Sequence, residues 1–342
     1  MIRDEHIDAA VAQGILTADQ AARLRDLARS DLAEPAAAEP PAGPDDEKFR
    51  LIGGFNDVFV TIGVALLVAA FFALASVIDF RPGFAVLAMI AAWGLSEVFS
   101  RRMRLALPSI ALALMFAGGA AFAGAALADL VAPRLSFVFA ALGAALAAVA
   151  HERRFRVPIN WAIVAVGVVY AVADAISLAA PAWMEHNRPA LFAVLGLGIF
   201  LAALRVDASD IARQTRRSDV AFWLHLVAAP MIVHGMIPLL VGDADGMATG
   251  QALAVLGIFA LLGLVAVIID RRALLVSGLI YAGVAIGYLV SESVEKDLGA
   301  SLTLLGLAAL VLGLSAGWRA LRRILLPLLP LGPLRQLVPP AI

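Results

Sequence analysis

Cysteine is absent from all 342 residues. That excludes disulfides, thiolate metal sites and cysteine nucleophiles, and it leaves the redox compartment open. Charge is scarce as well. Only 15% of the residues are Asp, Glu, Lys or Arg, against roughly 25% in a soluble domain. The formal net charge of −1 supplies none of the basic surplus that nucleic acid demands, so no nucleic-acid partner is expected. The first thirty residues are charged and contain no long apolar run, so no cleavable signal peptide is expected.

What the chain has in quantity is apolar side chain. Hydrophobic residues make up 62% of it, and the mean hydropathy is +0.92. Mostly apolar segments recur between short charged loops, at 55–78, 83–99, 105–128, 135–150, 157–179, 188–204, 220–241, 251–269, 273–290 and 299–318. Such segments match the length needed to cross a bilayer as helices. The spacing predicts an all-α polytopic transmembrane bundle of about ten spans, arranged as five hairpins, with the lipid bilayer as its surroundings. The segments 83–99, 135–150 and 188–204 are short, and a misplaced boundary or a half-span belongs there if anywhere.

Basic residues set the expected orientation. Of the 26 Lys and Arg residues, 22 fall on one set of loops and the N-terminal region. The opposite loops hold only Arg81, Arg134, Arg188 and Lys296. The positive-inside rule then places both termini in the cytoplasm. The outer loops are short, so no extracytoplasmic domain is expected.

Ahead of the spans, residues 1–30 read as a cytoplasmic helical hairpin. Gly14 stops the first helix, and Thr17 with Gln20 forms a capping box for the second. Ile7, Val11, Ile15, Leu16, Leu24 and Leu27 supply one apolar face. Thirty residues bury too little to stand alone, so this face is expected to dock, through self-association or on a cytoplasmic partner. Residues 31–54 read as a Pro/Ala/acidic linker with a juxtamembrane segment. Residues 55–318 form the bundle. Residues 319–342, broken by Pro327, Pro330, Pro333, Pro339 and Pro340, read as an interfacial cytoplasmic tail. A short repeat marks two junctions, "RRMRLALP" (101–108) and "RRFRVP" (153–158), each with a proline in the first turn of the next span.

Ionisable and polar residues inside spans carry the functional question, because each is costly in lipid. In the fifth span Asn160, Gly167 and Asp174 are seven apart, with Tyr170 and Ser177 on the same stripe. In the ninth, Ser277, Tyr281, Tyr288 and Glu292 make a second stripe. These faces are expected to point into the bundle or toward water, as a polar path or as hydrogen-bonded packing. The seventh span adds His225 and His234 in "FWLHLVAAPMIVHGMIP" (222–238). Nine residues of helix put them on opposite faces, about 13.5 Å apart along the axis, so they cannot share one metal ion. His234 falls at the depth of Asp174, and the two can pair if the fifth and seventh spans touch. Glu97 and Arg101 are placed for a local i,i+4 ion pair. Small residues at Gly283–Gly287, Gly313–Gly317, Ala120–Gly124–Ala128 and Ala140–Ala144–Ala148 mark close helix approaches.

Three motif matches fail on context. "GLSAG" (313–317) has no preceding strand, "HERRF" (151–155) lacks a second histidine, and "DADG" (243–246) lacks the remaining calcium ligands. No catalytic, cofactor-binding or metal-binding set is read from the sequence, and no enzymatic activity or cofactor is expected. "RLIGGFNDVFVTIG" (50–63) and "SDVAFWLHLVAAPMIVHGMI" (218–237) resemble segments of uncharacterised bacterial multi-pass inner-membrane proteins with a short N-terminal cytoplasmic hairpin. The resemblance implies a bacterial inner-membrane location and carries no activity. Three readings stay open: handling of a small solute, ion or lipid; a non-catalytic scaffold or regulator acting through the N-terminal hairpin; and an intramembrane enzyme.

Overall fold

The computed structural model describes residues 12–15, 17–23, 55–78, 80–241, 248–291, 296–330, 332, 335 and 338–340. The chain forms two compact units, Met1–Asp46 and Glu47–Ile342. In the first unit Gly14 takes a left-handed φ of +67°, where the opening helix was expected to stop. The capping box is present. The Thr17 N–H donates to Gln20 Oε1 at 2.9 Å, and the Gln20 N–H donates to Thr17 Oγ1 at 3.2 Å. Ile15 of the expected docking face is exposed. Ile7, Val11, Leu16, Leu24 and Leu27 lie outside the described residues, as does the 31–54 linker.

Among its described residues the second unit has ten long helices: α1 (Phe55–Ile78), α2 (Arg81–Ser96), α3 (Ala106–Val131), α4 (Ser136–Phe155), α5 (Ile159–Ala179), α6 (Pro181–Ala208), α7 (Arg216–Val241), α8 (Thr249–Ile269), α9 (Ala273–Ser291) and α10 (Lys296–Leu328). Among the described residues no strand occurs. Nine helices among the described residues are long and apolar enough to cross a membrane, and α9 adds a shorter apolar segment, Gly278–Ser291. The chain is a multi-pass, all-α membrane protein.

The short sequence segments prove to be full spans with misjudged ends. Pro82–Arg102 has 21 residues, Pro133–Phe155 has 23 and Pro181–Ala208 has 28. Their charged ends, counted as loop above, are helical turns, because a long arginine stem can lie along apolar surface while its head reaches water. α2 itself passes into a π-helical turn, Glu97–Arg102. At the other end of the chain, residues 319–328, assigned above to an interfacial tail, extend α10 instead. Pro327 comes only in its last turn, where it removes a single backbone donor. The tail beyond then folds back. Arg335 Nη1 donates to the Leu326 carbonyl at 2.9 Å, and Arg322 Nη2 donates to the Pro339 carbonyl at 2.8 Å.

Neighbouring helices pack as antiparallel hairpins, most extensively α6 with α7 and α3 with α4. Missing side chains permit the second of these. A Cβ on Gly124 would sit 2.4 Å from the Phe139 carbonyl oxygen, and one on Gly143 would sit 2.7 Å from that of Ala120. Gly313 and Gly317, by contrast, face open space and mark no helix contact. α5 touches both α6 and α7, so the fifth and seventh spans do meet and join the first five helices to the last five.

Four turns share one end of the bundle, α2–α3, α4–α5, α6–α7 and α8–α9. Each holds one non-glycine residue in the left-handed region: Arg104 (φ +55°), Arg156 (+56°), Arg213 (+52°) and Asp270 (+58°). A left-handed residue closing a helix C-terminus is usually glycine, since a Cβ costs energy there. Arg104 and Arg156 occupy the same place in the two copies of the sequence repeat. This end is the basic face below.

Candidate functional site

The polar residues of the bundle sort into four places, and the tests for each are partners and burial. The first lies near the basic face, around His151 of α4, which is fully buried. Asn160 Nδ2, at the start of α5, lies 3.1 Å from His151 Nδ1 and donates to Glu152 Oε2 at 3.4 Å. The amide nitrogen is thereby fixed toward both groups, so His151 Nδ1 accepts and the ring proton sits on Nε2. Nε2 is 3.1 Å from Ser96 Oγ, and that hydroxyl donates to the Ala92 carbonyl at 2.7 Å. Phe155, Phe116 and Trp93 surround the ring, at centroid distances of 4.6, 5.7 and 6.4 Å. The structure thus brings a serine and a histidine together, which the sequence did not reveal. In this tautomer the histidine donates to the serine and cannot take its proton. Ser96 is not an activated nucleophile.

Glu152 extends the network by accepting from Trp161 Nε1 at 3.2 Å and pairing with Arg216 of α7. Beside it, Glu97 makes the expected pair with Arg101 at 3.1 Å and a second, unforeseen one with Arg154 at 2.7 Å.

A second network joins α6, α7, α8 and α10, also near the basic face. Asp207 accepts from His225 Nε2 at 3.0 Å and from Arg271 Nε at 3.0 Å, with a further bond from Arg271 Nη2. Arg271 Nη2 reaches the Ser218 carbonyl at 3.1 Å and its hydroxyl at 3.0 Å. Asp270 pairs with Arg213 at 2.9 Å and Arg322 at 3.0 Å, and it accepts from Trp318 Nε1 at 2.7 Å. Arg213 also caps α8, donating to the carbonyls of Ile269 at 3.0 Å and Asp270 at 2.8 Å. Arg271, Arg322 and Trp318 are at most 2% exposed. In the α6–α7 turn, burial works to raise the Asp210 pKa. Hydrogen bonds from the Thr215 hydroxyl (2.7 Å) and the Thr215 and Gln214 amides (2.9 and 3.2 Å) outweigh it and hold the carboxyl below its ordinary value. These charges satisfy one another and clamp four helices.

The third place is His234, whose Nδ1 lies 2.5 Å from the Tyr281 hydroxyl of α9. Its hydrogen-bond partner is Tyr281 and not Asp174, although α5 and α7 touch. Helix contact alone does not choose the pair; rotation about each axis does. Tyr288, lower on the α9 stripe, packs against an apolar cluster that includes Val255 and Ala285. Glu292 and the Ser277 side chain lie outside the described residues. Between the two histidines of α7, Ala228, Ala229 and Val233 are at most 1% exposed, so packing closes that interval.

The fourth place is a cavity of about 550 Å³ walled by α3, α4, α5 and α6. Alanines 140, 141 and 144 and Phe192 line its apolar part, while Tyr170, Asp174, Ser177 and Arg188 line it as well. Asp174, Ser177 and Arg188 sit toward the end away from the basic face, near the close of α5 and in the first turns of α6, and Tyr170 sits midway along α5. Phe137 (77% exposed) and Tyr170 (56%) border the cavity, which therefore opens on the flank of the bundle. Asp174 Oδ2 is shut from solvent and has no hydrogen-bond partner. The polar stripe read along α5 is therefore divided. Asn160 belongs to the His151 network, and Tyr170, Asp174 and Ser177 belong to the cavity. Arg188 had been placed at the edge of a loop. The earlier start of α6, at Pro181, turns it into a cavity residue.

Among the described residues, no group of three or more His, Asp or Glu side chains is placed to hold a metal ion. No family model, curated protein or solved structure matches the chain.

Proposed function

We propose that this protein binds a lipid or lipid-like amphiphile in the cavity between α3, α4, α5 and α6, as part of a lipid-handling role in the membrane. We take the basic face as cytoplasmic, with both termini on that side of a bacterial inner membrane, in keeping with the positive-inside rule. The supporting observation is the lateral opening of a cavity that is apolar along most of its wall and polar at one end. Its volume falls in the roughly 300–1,000 Å³ range of ligand sites. A solute path along α7 finds less support, because Ala228, Ala229 and Val233 close it. Apart from Asn160 Oδ1, Arg216 Nε and His225 Nδ1, the networks of His151 and Asp207 spend their hydrogen bonds internally, so they favour rigidity over turnover.

The test is photolabelling of the full-length protein in nanodiscs with a lipid bearing a diazirine on its acyl chain. Label is expected on peptides of α4 and α5, and Ala144→Phe, which fills the cavity, should remove it. Label that ignores this substitution, or that spreads evenly over all helices, refutes the reading.

A further inference from the structure

Two charged side chains of opposite sign line the same cavity, and neither is paired among the described residues. Asp174 makes no hydrogen bond or ion pair among the described residues, and its Oδ2 is closed off from water. Arg188 likewise has no ion pair among the described residues, and it is exposed while lining the same cavity. The two do not approach within the 4.0 Å of an ion pair. Four carboxylates near the basic face are answered within the protein: Asp207 by Arg271, Asp270 by Arg213 and Arg322, Glu152 by Arg216, and Asp210 by the hydroxyl and amides of its own turn. An uncompensated charge facing apolar surroundings is expensive. Arg188 is exposed and water answers it, but Asp174 Oδ2 is closed off, so its compensation has to come from the cavity that both residues line.

From this we infer that the occupant carries a zwitterionic headgroup with a primary ammonium and a phosphate, the chemistry of a phosphoethanolamine lipid. This rests on the lipid-binding reading above and sharpens it. A single anion would satisfy Arg188 and repel Asp174, and a single cation would do the reverse. Only a zwitterion neutralises both without importing net charge into an apolar cavity. The donor inventory narrows the choice further. A carboxylate only accepts hydrogen bonds, so its partner must bear N–H groups, which a trimethylammonium lacks. A guanidinium presents a planar fork of donors suited to two phosphate oxygens. The Ser177 hydroxyl at the same end, and the Tyr170 hydroxyl one turn from Asp174 toward the middle of α5, serve the remaining phosphate or ester oxygens, and the acyl chains follow the alanine wall of α4.

The experiment uses wild-type full-length protein in phosphatidylglycerol nanodiscs doped with photoreactive lipids of identical acyl chains. The headgroups run from phosphoethanolamine through its mono-, di- and trimethylated forms. Cavity labelling should persist while one N–H remains and fall about tenfold at the trimethyl step, the size of a charge-assisted hydrogen bond. Asp174→Asn should flatten that step, and Arg188→Gln should lower labelling by all four lipids alike. Equal labelling across the series overturns the headgroup assignment while the cavity reading stands. So does equal labelling by a phosphatidylglycerol probe. Absence of cavity labelling by every lipid overturns the cavity reading itself. The methylation series needs no variant, so a substitution that fails to fold does not decide the matter.

Discussion

Asp207→Asn is expected to destabilise the bundle severely, and the geometry sets how severely. The Arg271 side chain is 2% exposed and directs two nitrogens at Asp207, whose side chain is 14% exposed. Removing the carboxylate charge strands a guanidinium in the core, a loss of about 3–5 kcal/mol for a buried pair broken on one side. His225 is attached to the same carboxylate through Nε2, so it loses an acceptor too. His225→Phe removes that hydrogen bond but keeps a ring beside Phe200, whose centroid is 5.2 Å away. It should cost about 1–2 kcal/mol, near the value of one hydrogen bond. Arg271→Met combined with Asp207→Asn removes both charges and should cost clearly less than the two single changes added. Steric trapping in bicelles gives the unfolding free energies for this cycle. As a control, Asp19→Asn breaks an exposed i,i+4 pair with Arg23 and should leave stability unchanged. Additive costs across the Asp207–Arg271 cycle would refute the clamp. A His225→Phe cost equal to that of Asp207→Asn would show that the histidine carries charge there.

Other consequences are simpler to state. Because His151 donates to Ser96, a fluorophosphonate probe should not label Ser96; labelling that disappears in Ser96→Ala would reverse the tautomer assignment. Asp210 has a folded pKa below its ordinary 3.8, so its stabilising contribution is complete well above that value and is lost as pH falls through the lower, folded one. Asp210→Asn should accordingly reduce thermal stability at pH 7 and flatten its decline between pH 5 and pH 3, and an unchanged acid limb would remove Asp210 from the account. Reporter fusions at Pro82 should register export and fusions at the C-terminus should not, and an exported C-terminus would overturn the assigned orientation. Leu24→Asp should weaken self-association or partner capture by the N-terminal hairpin while the spans still insert, and unchanged association would end the docking proposal.

Apolar runs made the helices legible, and residue chemistry alone made some ends legible too. The first span, Phe55–Ile78, and the Thr17–Gln20 capping box needed nothing beyond local pattern. The errors cluster where charge enters a helix. Arg101, Arg102 and Arg188 looked like loop because a hydropathy window stops at charge, whereas backbone hydrogen bonding does not. Pairing across helices was legible only as possibility. His234 had Asp174 as a candidate at matching depth, yet it met Tyr281, because depth follows from sequence spacing while azimuth follows from packing. Asp207, Arg213, Asp270, Arg271 and Arg322 went unnoticed as a unit for a related reason. In sequence the three arginines count only toward orientation and the two aspartates stand outside that count, and only the folding of the turns onto α10 brings them together.

The distribution of satisfied and unsatisfied charge separates architecture from function here. Near the basic face, carboxylates and guanidiniums occur together on adjacent helix ends, and the left-handed turns at Arg213 and Asp270 bring them into contact. Such a network fixes the relative positions of α6, α7, α8 and α10, and every charge in it is answered by another. At the far end of α5 and the first turns of α6, the same two kinds of side chain share a cavity without meeting. If Asp174 and Arg188 served only to hold helices together, the cheapest arrangement would be their own ion pair, as at Asp207 and Arg271. Leaving Asp174 Oδ2 closed off and without a partner costs stability unless something enters the cavity. In the proposed lipid site, a rigid clamp on one face and unpaired side chains of opposite charge on the other would let the cavity hold its shape while a ligand comes and goes.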